Sequence, residues 1–147
     1  MEYYLDNAAT TAPIPAARAA AERAMDDFGN PGSLHAPGRR ARALLEESRA
    51  AVAAALGTEP ACITFTSGGT ESINTAIRCG ARKNHHLGRQ LVSTQIEHDA
   101  TLNTLKDLRQ QGWEVALVPP ERDGRVMLRS LQAALRPDTA LVSVMGV

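Results

Sequence analysis

Ile63-Thr64-Phe65-Thr66-Ser67-Gly68-Gly69-Thr70-Glu71-Ser72-Ile73-Asn74 is the stretch on which the reading of the fold turns. Its first four residues alternate β-branched and aromatic side chains, which suits a pleated strand. Gly68 and Gly69 then permit a tight turn with positive φ and let another group come close to the backbone. From Thr70 the pattern is helical, with Ile73, Ala76, Ile77 and Gly80 on one face. A strand, a glycine turn and a helix start make an anion site, because free N–H groups and the positive end of the helix dipole converge there. Thr70 adds a hydroxyl, and phosphate is the anion expected. Taken alone, Gly68-Gly69 reads equally as an ordinary strand-to-helix turn. Neither G-x-x-x-x-G-K-[ST] nor G-x-G-x-x-G occurs, which excludes a nucleoside-triphosphate P-loop and a dinucleotide fingerprint.

Upstream of this stretch, Arg39 to Leu56 forms the clearest helix. Ala41, Leu44, Leu45, Ser48, Val52 and Ala55 share one face, and Gly57 is the stop. Before it, Gly29 to Gly38 reads as a long loop with three glycines and two prolines, the kind of connection that often carries function. His35 within it is either a site residue or a surface histidine. A first helix follows Pro13 and Pro15 and runs to about Phe28, with Ile14, Ala17, Ala21, Ala24 and Phe28 along one side. The segment preceding it, residues 1–15, reads as an extended arm.

Downstream, Gln90 to Gln95 is predicted as a strand, and Glu97-His98-Asp99 leads into a helix carrying Leu102, Leu105 and Leu108, ended by Gly112. Trp113 to Val118 is a second strand, Leu128 to Leu135 a short helix, and the apolar run Ala140 to Val147 a strand buried on both faces. Strands alternating with helices from Ile63 onward predict an α/β, three-layer fold with a mostly parallel sheet and right-handed crossovers.

Composition narrows the function classes. The 147 residues carry a formal net charge of zero, which gives no electrostatic case for nucleic acid or an anionic membrane surface. Aromatic residues make up 3% of the chain, too few for base-stacking platforms. Cys62 and Cys79 suit neither a disulfide framework nor a metal site, and are expected as small buried packing residues. No secretory signal or membrane-spanning run is read, so a cytoplasmic setting is expected.

Read together, the motifs point further. Tyr4-Leu5-Asp6-Asn7-Ala8-Ala9-Thr10-Thr11, Phe28-Gly29-Asn30-Pro31-Gly32-Ser33-Leu34-His35, Phe65-Thr66-Ser67-Gly68-Gly69-Thr70-Glu71-Ser72 and Glu97-His98 occur in order. The chain resembles the amino-terminal part of a cysteine desulfurase, in the class V aminotransferase group of pyridoxal-phosphate (PLP) enzymes. Gly32, where serine is more frequent, and Ile73, where a polar residue is frequent, are small departures. The resemblance implies that residues 16–147 form an incomplete PLP-binding large domain of the fold-type-I kind. It implies that Gly69 and Thr70 bind the cofactor phosphate and that His98 stacks on the pyridine ring and relays protons. From its place alone, His98 reads as a helix cap. Asn7, Ala8, Thr10, Asn30 and His35 match family segments near the site's mouth.

The resemblance further implies L-cysteine as substrate, L-alanine and persulfide sulfur as products, and sulfur-acceptor proteins as partners, as in iron–sulfur cluster assembly. A homodimer, or completion by a second polypeptide, is also implied. Family members are well over twice as long. The Schiff-base lysine and the persulfide-forming cysteine belong to their later segments, and neither Lys83 nor Lys106 matches that lysine. A truncated product, a cleaved fragment or half of a split enzyme is therefore expected, inactive alone. Two alternatives are a non-catalytic remnant serving as a binding or dimerisation module, and another class V member such as a selenocysteine lyase.

Overall fold

The computed structural model describes residues 3–146; Met1 and Glu2 of the expected arm and Val147 of the final apolar run lie outside the described residues. The chain divides into two compact units, Met1–Thr64 and Phe65–Val147.

The first unit holds α1 (Pro15–Asp26), α2 (Ala36–Leu56) and a single 3₁₀ turn (Pro60–Cys62). Proline near the start of α1 suits a first turn whose N–H groups lack partners anyway. The expected inner face of α1 is not an inner face: the helix has no buried residue, and Phe28 beyond it is 85% exposed. Two helices and one turn enclose too little volume to cover it from within the unit. α2 begins earlier than the loop reading allowed, because Ala36-Pro37-Gly38 forms its first turn. His35 is its N-cap, with Nδ1 accepting the Gly38 N–H at 3.2 Å. Gly38 is buried, and a side chain there would strike the Ser33 carbonyl oxygen, 2.4 Å from an ideal Cβ. The covered row of α2 runs through Gly38, Ala41, Leu45, Arg49 and Ala53, with Leu44, Ser48, Val52 and Ala55 left exposed. That is a correction to the expected face by about one residue step. Gly57 closes the helix at φ 65, the left-handed conformation that glycine adopts without penalty.

The second unit is built on three strands, β1 (Gln90–Thr94), β2 (Glu114–Val118) and β3 (Thr139–Val142), in the order β2-β1-β3 and parallel throughout. Leu91 faces Val115 on one side and Leu141 on the other. α3 (Gly69–Lys83), α4 (Asp99–Gln110) and α5 (Leu128–Ala134) complete the unit. The crossover through α4 runs from β1 to β2, and the one through α5 returns past β1 to β3. Right-handed connections in opposite directions put α4 and α5 on opposite faces, giving three layers.

All five residues of β1 are buried, whereas β3 buries only Ala140 and leaves Val142 exposed. β3 is thus an edge strand, and its expected burial on both faces is not observed. The core joins Ile77 and Ala81 of α3, Leu91 of β1, Leu105 and Leu108 of α4, Trp113 and Ala140. Two further expectations fail. Residues 63–66 join no ladder of the sheet, although Ile63 is extended. Cys62 and Cys79 are both exposed. Cys62 follows Pro60 in the 3₁₀ turn, and Cys79 lies two positions from Ile77 and Ala81, off the buried i,i+4 row of α3.

Candidate functional site

The start of α3 is open. Gly69 is the first helical residue and Thr70 the second, so their N–H groups have no intrahelical acceptor. The N-cap Gly68 has no side chain to offer one. Neither glycine uses a left-handed backbone: Gly68 has φ 163, which is extended, and the positive-φ glycines are Gly57, Gly88, Gly112 and Gly124. The expected positive-φ turn is therefore corrected, since the chain passes directly from extended backbone into helix. What the glycines supply is room. Apart from the adjoining residues and the helix's own backbone, no heavy atom lies within 4 Å of an ideal Cβ on Gly68 or on Gly69.

Surrounding side chains hold this start in shape. Glu71 reaches back to accept the Ser67 N–H at 2.6 Å and the Ser67 hydroxyl at 2.7 Å. These bonds, the hydroxyl first, hold the Glu71 carboxyl below its ordinary value. The arrangement is a close variant of a capping box, and it satisfies Ser67 while leaving Gly69 and Thr70 uncapped. Thr66 and Ser72 share a hydroxyl–hydroxyl bond of 2.7 Å, and the Thr66 hydroxyl also donates to the Gly68 carbonyl at 3.2 Å.

His98 is the N-cap of α4, with Nδ1 accepting the Ala100 N–H at 3.0 Å. The capping role read from its position is therefore present. It also fixes the ring, because a nitrogen that accepts cannot carry the proton, so the neutral imidazole is the Nε2–H tautomer. The preceding residue, Glu97, is buried at 8% exposure and accepts from the Thr94 hydroxyl and the Met145 N–H, each at 2.8 Å.

Thr70 and His98 line one hollow of about 330 Å³. They reach it by different routes from those expected: only His98 follows a strand of the sheet. Asn74, Arg78, Asn103 and Thr104 also line it, and sequence reasoning missed all four. Asn74 donates to the Thr70 carbonyl at 3.0 Å, and Arg78 is paired with Asp107 at 2.7 Å. The sequence signal for Asn74 and Arg78 is their i+4 and i+8 spacing from Thr70, which puts all three on one helix face. Of the predicted site residues, Thr70 and His98 line the hollow and Gly69 does not. An uncapped N–H and hydroxyl from Thr70 and an imidazole on one hollow suit an anionic group attached to a flat ring.

In the first unit, Asn30 accepts the Gly32 N–H at 2.8 Å, and Asp6 to Thr10 forms a turn closed by the Ala9 N–H on the Asp6 carbonyl at 3.2 Å. Among the described residues no helix is long and apolar enough to cross a membrane, and no group of three or more His, Cys, Asp and Glu could hold a metal ion.

The family model for class-V aminotransferases matches residues 3–147. A NifS/IcsS protein homolog of Lactobacillus delbrueckii subsp. bulgaricus is 44% identical over 145 residues, covering 98% of this chain and 38% of its own. A putative cysteine desulfurase IscS 1 of Bacillus subtilis is 40% identical over 150 residues, covering 97% of this chain and 38% of its own. Among solved structures, a NifS-like protein superposes with a TM-score of 0.88 at 38% identity, over 99% of this chain and 40% of that one. The chain thus spans well under half the length of these relatives.

Proposed function

The chain belongs to the class-V aminotransferase family, and from that premise we propose that it carries the phosphate grip and one ring partner of a PLP-dependent cysteine desulfurase. The observation that carries the proposal is the meeting of Thr70 and His98 on one hollow beside an uncapped helix start. The residues fit the cofactor. Gly69 and Thr70 would hold its phosphate through backbone N–H groups and the Thr70 hydroxyl, and His98 would lie against its ring. When bound, PLP supplies an electron sink for charge developing on substrate carbon.

The chain's own residues do the rest of what is available here. Gly68 and Gly69 keep the approach to the helix start clear. Glu71 holds Ser67 and so preserves the turn with no ligand needed. His98, its Nδ1 committed to Ala100, presents Nε2–H as the ring position that donates a proton or hydrogen bond. Neither Lys83 nor Lys106 lines the hollow, so the reading adds that a further segment provides the lysine and the sulfur-carrying cysteine. L-Cysteine as substrate, sulfur-acceptor proteins, a homodimer and a cytoplasmic setting belong to the same proposal.

The test is a PLP titration of the chain, with pyridoxal and orthophosphate as comparisons. PLP should bind, pyridoxal should bind far more weakly, and orthophosphate should compete. Failure of PLP to bind, or equal binding of pyridoxal, defeats the phosphate reading. Sulfide and alanine release from L-cysteine is expected from a mixture with a polypeptide bearing the missing segment, and not from the chain alone. Turnover by the isolated chain, of confirmed mass, would overturn the second part.

One observation favours a second reading, a binding or dimerisation module: Met25, Phe28 and Leu34 are 79%, 85% and 88% exposed. That reading is preferred if the chain binds no PLP yet self-associates, and Phe28→Asp abolishes the association.

A further inference from the structure

Glu97 has no place in the reading above, yet it is the one buried carboxyl group among the described residues. A carboxyl group taken out of water is costly unless its oxygens are hydrogen-bonded. Here a single oxygen, Oε1, takes two donors from separate segments: the Thr94 hydroxyl at the end of β1, and the Met145 N–H from the chain beyond β3. The second segment is already tied to β1. The Ser143 N–H donates to the Val92 carbonyl at 3.0 Å, and the Ser93 hydroxyl donates to the Ser143 carbonyl at 2.8 Å. Glu97 is therefore the last of a row of ties that fasten the outgoing end of β1 to its neighbour.

The next residue is His98. Between Thr94 and the first turn of α4 the chain has only three residues, Gln95, Ile96 and Glu97, before the imidazole must reach the Ala100 N–H. Gln95 is held through its N–H on the Val118 carbonyl at 3.0 Å, while Ile96 is 42% exposed. Fixing Glu97 at its side chain thus leaves the His98 backbone little freedom.

We propose that Glu97 is a positioning residue that acts through His98: its pinned carboxylate sets the 95–98 turn so that the imidazole caps α4 with Nδ1 and keeps Nε2 available at the hollow. The functional meaning of this device rests on the proposed role of His98 as ring partner, but the device itself is testable without any cofactor.

The experiment uses the full chain, ¹⁵N-labelled, as wild type, Glu97→Gln, Glu97→Ala and Thr94→Val. Long-range ¹H–¹⁵N correlation reads the His98 tautomer, and hydrogen exchange reads the Ala100 amide. Wild type should show the Nε2–H tautomer. Glu97→Ala should show a tautomer mixture, with Ala100 exchange faster by on the order of five- to tenfold, as expected for a lost cap. Glu97→Gln, whose amide oxygen can accept the same donors, should restore most of both. Thr94→Val should give a partial loss and carries the test if Glu97→Ala does not fold. Wild-type tautomer and exchange in a folded Glu97→Ala, or unchanged values in Thr94→Val when Glu97→Ala fails to fold, would overturn the proposal. PLP binding is measured separately on the same samples. If wild type binds none, the cofactor reading fails while the positioning device is still decided by the two signals above.

Discussion

Replacing Gly69 with alanine separates the two things a glycine at a helix start can do. No heavy atom lies within 4 Å of an ideal Cβ at this position, and Gly69 is helical without positive φ. The methyl group therefore meets nothing, and the unfolded chain loses freedom it no longer has to give up. Gly69→Ala should leave the fold as stable as before or raise stability by about 0.4–1 kcal/mol. Binding should move the other way. If a phosphate lies against this backbone, the methyl group displaces it from one charge-assisted N–H bond, worth about 1.5–3 kcal/mol. At about 1.4 kcal/mol per factor of ten, PLP and orthophosphate affinity should fall about ten- to hundredfold. The assay pairs a guanidinium melt, followed by Trp113 emission, with a PLP titration at fixed salt. A loss of stability beyond about 1 kcal/mol would refute the open geometry. Retained stability with unchanged PLP affinity would refute the placement of the phosphate.

Gly88 is the opposite case: at φ 154 an ideal Cβ would lie 2.2 Å from the Asp138 carbonyl oxygen. Gly88→Ala should therefore destabilise by about 2–5 kcal/mol in the same melt, from backbone strain and overpacking combined. Glu71 gives a pH signature. Its folded carboxyl titrates below the ordinary value, so the bonds to Ser67 contribute fully above that value and are lost as pH falls through the lowered one. Melts between about pH 5 and pH 3 should show a stability loss in wild type that is smaller in Glu71→Gln. Identical pH slopes in the two would exclude Glu71 as a contributor.

Much of the second unit was legible because its signals are local. Gln90 to Thr94 has an apolar centre at Leu91 and Val92, Glu114 to Val118 is apolar from Val115 on, each follows a glycine closely, and both are strands. The end of α2 at Gly57 and of α4 before Gly112 follow from glycine chemistry alone. What failed depends on neighbours. Ile63 to Thr66 has strand composition, but composition does not supply a partner, and these residues pair with no strand. Cys79 was read by residue type when its angular position on α3 decides its exposure. Val142 has an interior composition at a sheet edge. Of the hollow's lining, Thr70, Asn74 and Arg78 share one face of α3 by their spacing, whereas His98, Asn103 and Thr104 join them only once α3 and α4 pack together.

The strand order β2-β1-β3 also sets a timetable. β1 pairs with β2 over five residues in unbroken register, across a connection that is a single helix, whereas β3 pairs over three positions with a register shift. Closing the shorter connection loses less chain entropy, so the β1–α4–β2 crossover unit should form first and serve as template. β3 then has to travel past a finished strand to reach the far edge of β1. Pulse-labelled exchange should protect the Leu91 and Ala116 amides before those of Leu141 and Ser143; the reverse order would contradict this sequence of events. Nascent chain emerging from a ribosome would therefore hold the core of its second unit, all but Ala140 and Leu141, before the strand that closes the row of ties at Glu97 has been made.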